Sequence, residues 1–369
     1  MKFTCTKTNL QNAIFTVQKA ITGKSSMPIL NGILIETNKD KLILTGSDID
    51  LSIETKVEAD IFEEGSIVIN ARLFGEIIRK LPNDNINIST TDGISTEILC
   101  QKSKFNIINM NRNDFPELPK INENMIFSIP ENILKNMIRE TIFAAAQDET
   151  RPILTGVLFE TKNKNFNLVA LDGYRLALKS EKLENDNEIN AVIPAKTLNE
   201  VSKILEDGEN NVDITFTPNH ILFNLGNTKI VSRLLEGEFI KYNSIIPEEF
   251  TLKVIAKRED LLNCIERASL MAKDSNTNLI KLNIEENNMI ITSNSQLGMV
   301  KEEVNIILQG QELQIAFNSK YLIDVLKIME EDEIILNFSS SVSPCVIKNK
   351  DENKNNCTYL VLPVRLLNN

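Results

Sequence analysis

The chain repeats itself, and the period is the length of a domain rather than of a solenoid turn. Pro28-Ile29-Leu30-Asn31-Gly32-Ile33-Leu34-Ile35-Glu36-Thr37 returns 124 residues later as Pro152-Ile153-Leu154-Thr155-Gly156-Val157-Leu158-Phe159-Glu160-Thr161. A degenerate third copy, Leu279-Ile280-Lys281-Leu282-Asn283-Ile284-Glu285, starts 125 residues after Leu154. A second cassette keeps the spacing. Asn70-Ala71-Arg72, Ala195-Lys196 and Asn318-Ser319-Lys320 each open a helical stretch, with basic residues at 72, 196 and 320. Three copies of about 123 residues fill a chain of 369, as domain-sized units do. Phe115-Pro116-Glu117-Leu118-Pro119 closes the first copy, and the stretch from Phe239 to Pro247 closes the second. The predicted domains are 1–122, 123–248 and 249–369.

Within each copy the same order recurs. Leu10, Ala13, Ile14, Val17 and Ile21 stand at helical spacing on one face. Ile133, Leu134, Met137, Ile138 and Ile142 repeat the stripe, as do Leu261, Leu262, Ile265 and Ala268. Second, shorter helices are predicted over Leu73–Leu81, Leu198–Leu205 and Tyr321–Met329. The remainder reads as short strands, such as Lys41–Thr45, Ile67–Asn70, Ile86–Thr90 and Ile334–Phe338. Asp92-Gly93 signals a two-residue hairpin, and Glu286-Asn287-Asn288 and Asn163-Lys164-Asn165 signal further turns. The fold class is α+β: three tandem similar domains, each with two helices packed on antiparallel sheet.

Several classes of chemistry are excluded. Cys5, Cys100, Cys264, Cys345 and Cys357 are odd in number and widely spaced, which predicts reduced, buried thiols. One histidine, His220, cannot supply a zinc set. It lies in Thr217-Pro218-Asn219-His220, a turn before a strand rather than a place for a catalytic base. Gly23-Lys24-Ser25 resembles the end of a phosphate-binding loop, but position 18 is Gln18 and the segment before it reads as helix. Asp48-x-Asp50 and Asp186-x-Glu188 lack calcium-loop spacing. No catalytic site, cofactor or metal is predicted. No apolar run approaches the roughly 18 residues of a membrane span, and the N-terminus has no secretory apolar region, so the expected location is cytoplasmic.

With 40 Lys/Arg against 51 Asp/Glu the net charge is −11, an unpromising total for a nucleic-acid binder. Its distribution is uneven. Six predicted helical windows (7–20, 71–80, 131–147, 195–206, 257–273 and 319–330) hold 15 basic and 10 acidic residues, a net of +5, which leaves −16 for the rest. Ordinary solvated helix surfaces are the plain alternative to a polyanion-facing surface.

The opening Met1-Lys2-Phe3, the Pro-Ile-Leu-x-Gly cassettes, Leu171-Asp172-Gly173-Tyr174-Arg175-Leu176-Ala177 and the ending Tyr359-Leu360-Val361-Leu362-Pro363-Val364-Arg365-Leu366 together resemble the bacterial DNA polymerase III β subunit family, the sliding clamps. The resemblance spans the chain and includes the threefold repeat. It implies a non-catalytic processivity factor: a head-to-tail homodimer forming a ring of six domains, with helices lining the hole. Twelve helices about 9 Å apart give a circle roughly 35 Å across. Removing a helix thickness of about 10 Å leaves roughly 25 Å, enough for a DNA duplex held without sequence preference. The acidic total then ceases to conflict with DNA, because tethering is topological.

The resemblance also implies sites. Inner-face candidates are Lys7, Lys19, Arg72, Arg79, Lys80, Lys135, Arg139, Lys196, Lys203, Arg267, Lys273, Lys320 and Lys327, with Lys24 in a loop at a DNA-touching position. A hydrophobic pocket would accept short linear motifs from the replicative polymerase, the clamp loader, repair polymerases, and ligase or mismatch-repair proteins. Its matching residues are Leu154, Leu171, Gly173, Tyr174, Arg175, Leu176, Ile240, Ile245, Asn318, Tyr321, Val342, Leu362, Pro363, Val364 and Arg365. Here Tyr and Arg are expected to offer hydrogen bonds; core packing is the plain alternative for the leucines. The dimer contact would set Phe105 and Ile107, on an edge strand, against Leu270 and Met271, with Lys102 and Lys104 meeting Glu302 and Glu303. Three departures bear on peptide preference: Ile240 stands where the family usually has proline, Ser244 replaces a commonly basic residue, and Leu367-Asn368-Asn369 extends the usual ending. Two rivals remain: an enzyme using Asp172 with Arg175, and a peptide-binding scaffold without DNA.

Overall fold

The computed structural model describes the chain except residues 24–26, 40, 91–92, 118, 120, 122–125, 163, 184–187, 275–277, 352–355 and 366–369. The first repeat runs β1 (Lys2–Thr6), α1 (Lys7–Gln18), β2 (Gly32–Asn38), β3 (Lys41–Ser47), β4 (Leu51–Glu58), β5 (Asp60–Glu63), β6 (Gly65–Asn70), α2 (Ala71–Lys80), β7 (Asn85–Thr90), β8 (Ser95–Cys100) and β9 (Ser103–Ile108). The second runs β10 (Ile126–Pro130), α3 (Glu131–Ile142), β11 (Gly156–Lys162), β12 (Asn165–Leu171), β13 (Arg175–Lys182), β14 (Asn190–Pro194), α4 (Ala195–Ser202), β15 (Asn211–Phe216), β16 (His220–Asn224) and β17 (Thr228–Arg233). The third runs β18 (Leu252–Lys257), α5 (Arg258–Asp274), β19 (Leu279–Ile284), β20 (Asn288–Ser295), β21 (Gly298–Gln309), β22 (Leu313–Asn318), α6 (Ser319–Ile328), β23 (Glu333–Phe338), β24 (Cys345–Asn349) and β25 (Cys357–Val361). The order is the same three times, apart from the extra strand β5.

Local chemistry explains where the helices begin. The Thr6 hydroxyl accepts from Asn9 N and the Asn70 amide oxygen from Leu73 N, while Asn318 Oδ1 accepts from Lys320 N. Each cap satisfies one otherwise orphaned N–H and contributes about 1 kcal/mol. The apolar stripes are buried as their spacing requires: Leu10, Ala13, Ile14 and Val17 on α1, and Leu134, Met137 and Ile138 on α3. Two helices end before the helical windows 131–147 and 195–206 do. α3 ends at Ile142 and α4 at Ser202.

The chain divides into two compact units, and the middle repeat contributes to both: Met1–Lys135 with Lys196–Leu234, and Asn136–Ala195 with Leu235–Asn369. The first unit holds a five-stranded sheet ordered β5-β1-β7-β8-β9 and an eight-stranded sheet ordered β10-β15-β16-β17-β4-β3-β2-β6. Its seam is β17 against β4, antiparallel, with Ile230 opposite Ile53. The second holds one twelve-stranded sheet ordered β14-β11-β12-β13-β25-β24-β23-β18-β21-β20-β19-β22. There the corresponding seam is β13 against β25, with Leu176 opposite Leu360.

The turn signals fare unevenly. Glu285 N and Asn288 O are 2.9 Å apart, closing the expected two-residue turn over Glu286 and Asn287. Lys162 pairs with Asn165, as the second turn requires, though Asn163 lies outside the described residues. At the first, Thr90 faces Thr96, so the turn centres on Gly93 (φ +74°) and is longer than two residues; Asp92 is outside the described residues. All five cysteines are buried and none forms a disulfide. Burial pushes the Cys5 thiol up to about 11 and Cys357 to about 12, away from reactive thiolate. His220 opens β16, half-buried. Asp186 also lies outside the described residues. None of the described helices is long and apolar enough to cross a membrane.

Candidate functional site

Within the second unit, the turn joining β12 to β13 is built by one carboxylate. Asp172 Oδ1 accepts from Tyr174 N at 2.9 Å and Arg175 N at 3.0 Å, and Asp172 Oδ2 accepts from Arg175 Nε at 3.0 Å. Gly173 holds φ +91°, a conformation that favours glycine. This occupies Asp172 as a turn former, which removes the acid–base role considered for it with Arg175.

Arg175 is also different from expectation. Its side chain is 7% exposed and its donors are committed internally: Nε to Asp172, Nη1 to Asp324 at 2.5 Å and Nη2 to Phe143 O at 2.7 Å. It positions the rim rather than presenting itself as a hydrogen-bonding edge. Its guanidinium lies 4.8 Å from the Tyr321 ring centroid, and Tyr321 stacks on Tyr174 at 6.0 Å with an interplanar angle of 17°. Tyr174 is thereby held upright although 61% exposed.

Beneath this turn lies a buried cluster that includes Leu154, Leu171, Leu176, Tyr242, Val346 and Leu360, with Ile240 and Leu362 partly buried against it. Leu154, Leu171 and Leu176 are therefore floor rather than surface. Tyr174, Ile245, Val342 and Val364 are the exposed apolar residues, and Arg365 is exposed as well. Two backbone bonds tie the C-terminal segment down: Leu362 N to Tyr174 O and Val364 N to Ala316 O, each 2.8 Å, with Pro363 half-buried between them. Asn318 caps α6 two residues after Ala316. Ile240 sits directly before the strap in which Tyr242 donates its hydroxyl to Glu160 Oε2 at 2.6 Å. Burial, then Glu160, raises that phenol. Ser244 is exposed and donates to Lys241 O. The residues 367–369 are outside the described residues.

The helix cations separate into two sets. Among the described residues, Lys7, Arg79, Lys80, Lys273 and Lys320 have no ion-pair partner, whereas seven others do. Arg72 meets Glu76, Lys135 meets Asp207, Arg139 meets Glu330, Lys196 meets Asp48, Lys203 meets Glu200, Arg267 meets Glu302 and Lys327 meets Glu266. Lys19 Nζ lies 3.8 Å over the Phe15 ring, and burial lowers its pKa. Lys24 is outside the described residues. Arg267 turns toward β21, where two bonds at 3.0 and 2.6 Å join it to Glu302. One residue earlier, Glu266 reaches Lys327 on α6.

The edge-strand residues differ in their exposure and in their local partners. β9 is a sheet edge, and Phe105 is 39% exposed on it, but Ile107 is only 7% exposed and Ile108 is 78% exposed. Alternation along the strand puts Phe105 and Ile107 on one face, with Ile107 the better covered, and Ile108 on the other. The charges are engaged locally too: Lys104 with Glu97, Lys301 with Glu303 and Arg267 with Glu302. The Arg267 bond holds the Glu302 carboxyl below its usual range, and Lys301 does the same for Glu303. Lys102 is exposed, Leu270 is 61% exposed and Met271 is half-buried.

Comparison with known proteins covers the whole length. Family models described as the N-terminal, central and C-terminal domains of the DNA polymerase III beta subunit match residues 1–119, 128–241 and 243–365. The chain is 39% identical to a beta sliding clamp of Bacillus subtilis over 378 residues, covering 99% of this chain and 100% of that one. It is 35% identical to one of Staphylococcus aureus over 376 residues, covering 99% of each. A crystal structure of the Bacillus subtilis DNA polymerase sliding clamp superposes with a TM-score of 0.96 at 37% identity and covers 100% of both chains. The Thermotoga maritima DNA polymerase III beta subunit gives 0.93 at 32% identity, covering 99% of this chain and 100% of that one.

Proposed function

The chain belongs to the DNA polymerase III β subunit family of sliding clamps, and from that premise we propose how its surfaces do a clamp's work. It is a processivity factor and not a catalyst. Two copies join head to tail into a closed ring in the cytoplasm, each supplying domains 1–122, 123–248 and 249–369, with helix faces toward the hole. Duplex DNA passes through without being gripped. Lys7, Arg79, Lys80, Lys273 and Lys320 supply salt-dependent attraction to phosphates. The acidic partners of the remaining cations weaken that attraction, which favours sliding. Ring closure uses the β9 edge with Phe105, meeting Leu270 and Met271 of the other copy.

Partner motifs dock on the second unit. The observation that carries this is the set of exposed Tyr174, Ile245, Val342 and Val364 above a buried leucine floor. That arrangement suits the apolar anchors of a short peptide from the polymerase, the clamp loader or repair proteins. Holding the polymerase there makes its rebinding to template intramolecular and raises its effective concentration.

The ring reading is tested by loading the protein onto a nicked circular DNA with its cognate loader and ATP, isolating the complex, and cutting the circle once. Retention on the circle and release after linearisation are expected. Equal retention on both forms means ordinary affinity binding and no ring.

A further inference from the structure

Between α1 and α2 of the first unit runs a groove in which the clamp reading gives a role to Arg79 and none to Phe15. One part, about 230 Å³, is lined by residues including Gln11, Asn12, Phe15, Gln18, Gly75 and Arg79. It continues past Gln18, Gly75 and Arg79 into a wider cleft of about 630 Å³. The groove exists because Gly75 lets the helices approach: a Cβ there would stand 2.5 Å from Gln18 Nε2, which bonds Ala71 O at 2.7 Å.

Phe15 is the unexplained residue. It is 66% exposed on an otherwise polar helix surface, with the Lys19 ammonium over its ring. The cations beside it differ in their state. Arg72 is paired with Glu76, while Arg79 has no ion-pair partner among the described residues. A solvent-exposed aromatic ring with an ammonium on one face, carboxamides able both to donate and accept, and one uncompensated guanidinium together match a base joined to its phosphate. A flat aromatic ligand stacks on such a ring whatever its sequence, amides bond its edge, and arginine takes the phosphate.

We propose that the α1–α2 groove binds an unpaired nucleobase of single-stranded DNA, stacked on Phe15 with its phosphate at Arg79. The inference rests on the reading of these helix faces as DNA-facing. It gives the chain a means of distinguishing a single-stranded stretch from a continuous duplex.

The test uses the full-length protein at low salt and three fluorescent probes: a ten-residue thymidine oligonucleotide, an abasic oligonucleotide of the same length, and a blunt duplex. Wild type should prefer the thymidine strand to the abasic strand by about 5- to 100-fold. Phe15→Leu should erase that preference and Phe15→Tyr should keep it. Equal affinity for the two single strands in wild type overturns the proposal, as does a preference that survives Phe15→Leu. Release from cut circles and duplex binding report on the clamp reading separately, so failure of one is distinguishable from failure of the other.

Discussion

The turn joining β3 to β4 and the turn joining β12 to β13 stand 124 residues apart and share one hydrogen-bond skeleton. Asp48 Oδ1 accepts from Leu51 N at 2.8 Å, as Asp172 Oδ1 accepts from Arg175 N. Arg233 N reaches Asp50 O, as Leu362 N reaches Tyr174 O, both at 2.8 Å. The side chains diverge. Where the second unit has Leu171 and Leu176, the first has Ser47 and Ser52, buried and bonded to each other at 2.7 Å. Where one turn has Gly173 and an upright tyrosine, the other has Ile49 at φ +85° and Asp50. The repeat supplied the same backbone twice, and the floor residues decided which copy offers apolar anchorage. A hydroxyl pair satisfies itself and leaves nothing for an apolar peptide, whereas a leucine floor capped by exposed Tyr174 and Val342 does.

The largest expected effect comes from moving the serine pair into the second unit. Leu171→Ser with Leu176→Ser should lower unfolding free energy by more than about 4 kcal/mol, since each buried leucine is worth about 2–5 kcal/mol. Chemical denaturation reads this directly. A loss under about 1 kcal/mol with peptide binding intact would mean the floor does not separate the two turns. Next is Arg175→Met. It leaves Asp172 and Asp324 without their shared cation and releases the tyrosine stack. A loss of about 3 kcal/mol is expected, together with weaker binding of a polymerase-derived peptide in a titration. Unchanged peptide affinity would show that the stack does not shape the rim.

Much of this comparison was legible beforehand. The cassettes revealed the repeat, and the 3.6-residue stripes placed the first helices, because both are local patterns. The residues that mislead are those whose fate is decided by distant partners. Arg175 looks like a surface cation until Asp324 and Phe143, far away in sequence, enclose it. Ile107 and Ile108 are adjacent and equally apolar, and only the pairing of β9 with β8 decides which faces inward. Arg267 sits among helix cations until β21 brings Glu302 beside it. The division of the middle repeat between two units was hidden for the same reason: it follows from seams between β4 and β17 and between β13 and β25.

A third substitution isolates backbone from floor. Gly173→Ile imports the residue of the first turn, and a Cβ at this position meets nothing within 4 Å. No Cβ clash adds to the strain, about 1–3 kcal/mol for a side chain held at positive φ, which the unfolded-state freedom lost with glycine offsets by about 0.5–1 kcal/mol. The thermal midpoint should fall, while the leucine floor stays packed. If the midpoint holds and peptide affinity collapses, the glycine serves access rather than conformation.

The reverse change, Ile49→Gly, should have the smallest effect, and its size is the informative part. Relief of the left-handed conformation favours the glycine by about 1–2 kcal/mol. Against it stand the greater unfolded-state freedom of glycine, about 0.5–1 kcal/mol, and the covered part of a side chain that is 55% exposed, worth up to about 1 kcal/mol. These terms nearly offset, so denaturation should place the variant within about 0.5 kcal/mol of wild type. A gain well beyond 1 kcal/mol would mean that the first turn stores strain, and that its isoleucine is kept for what the exposed side chain touches. A clear loss would mean that Ile49 anchors the turn, and that the two copies differ in how they are stabilised as well as in what they present.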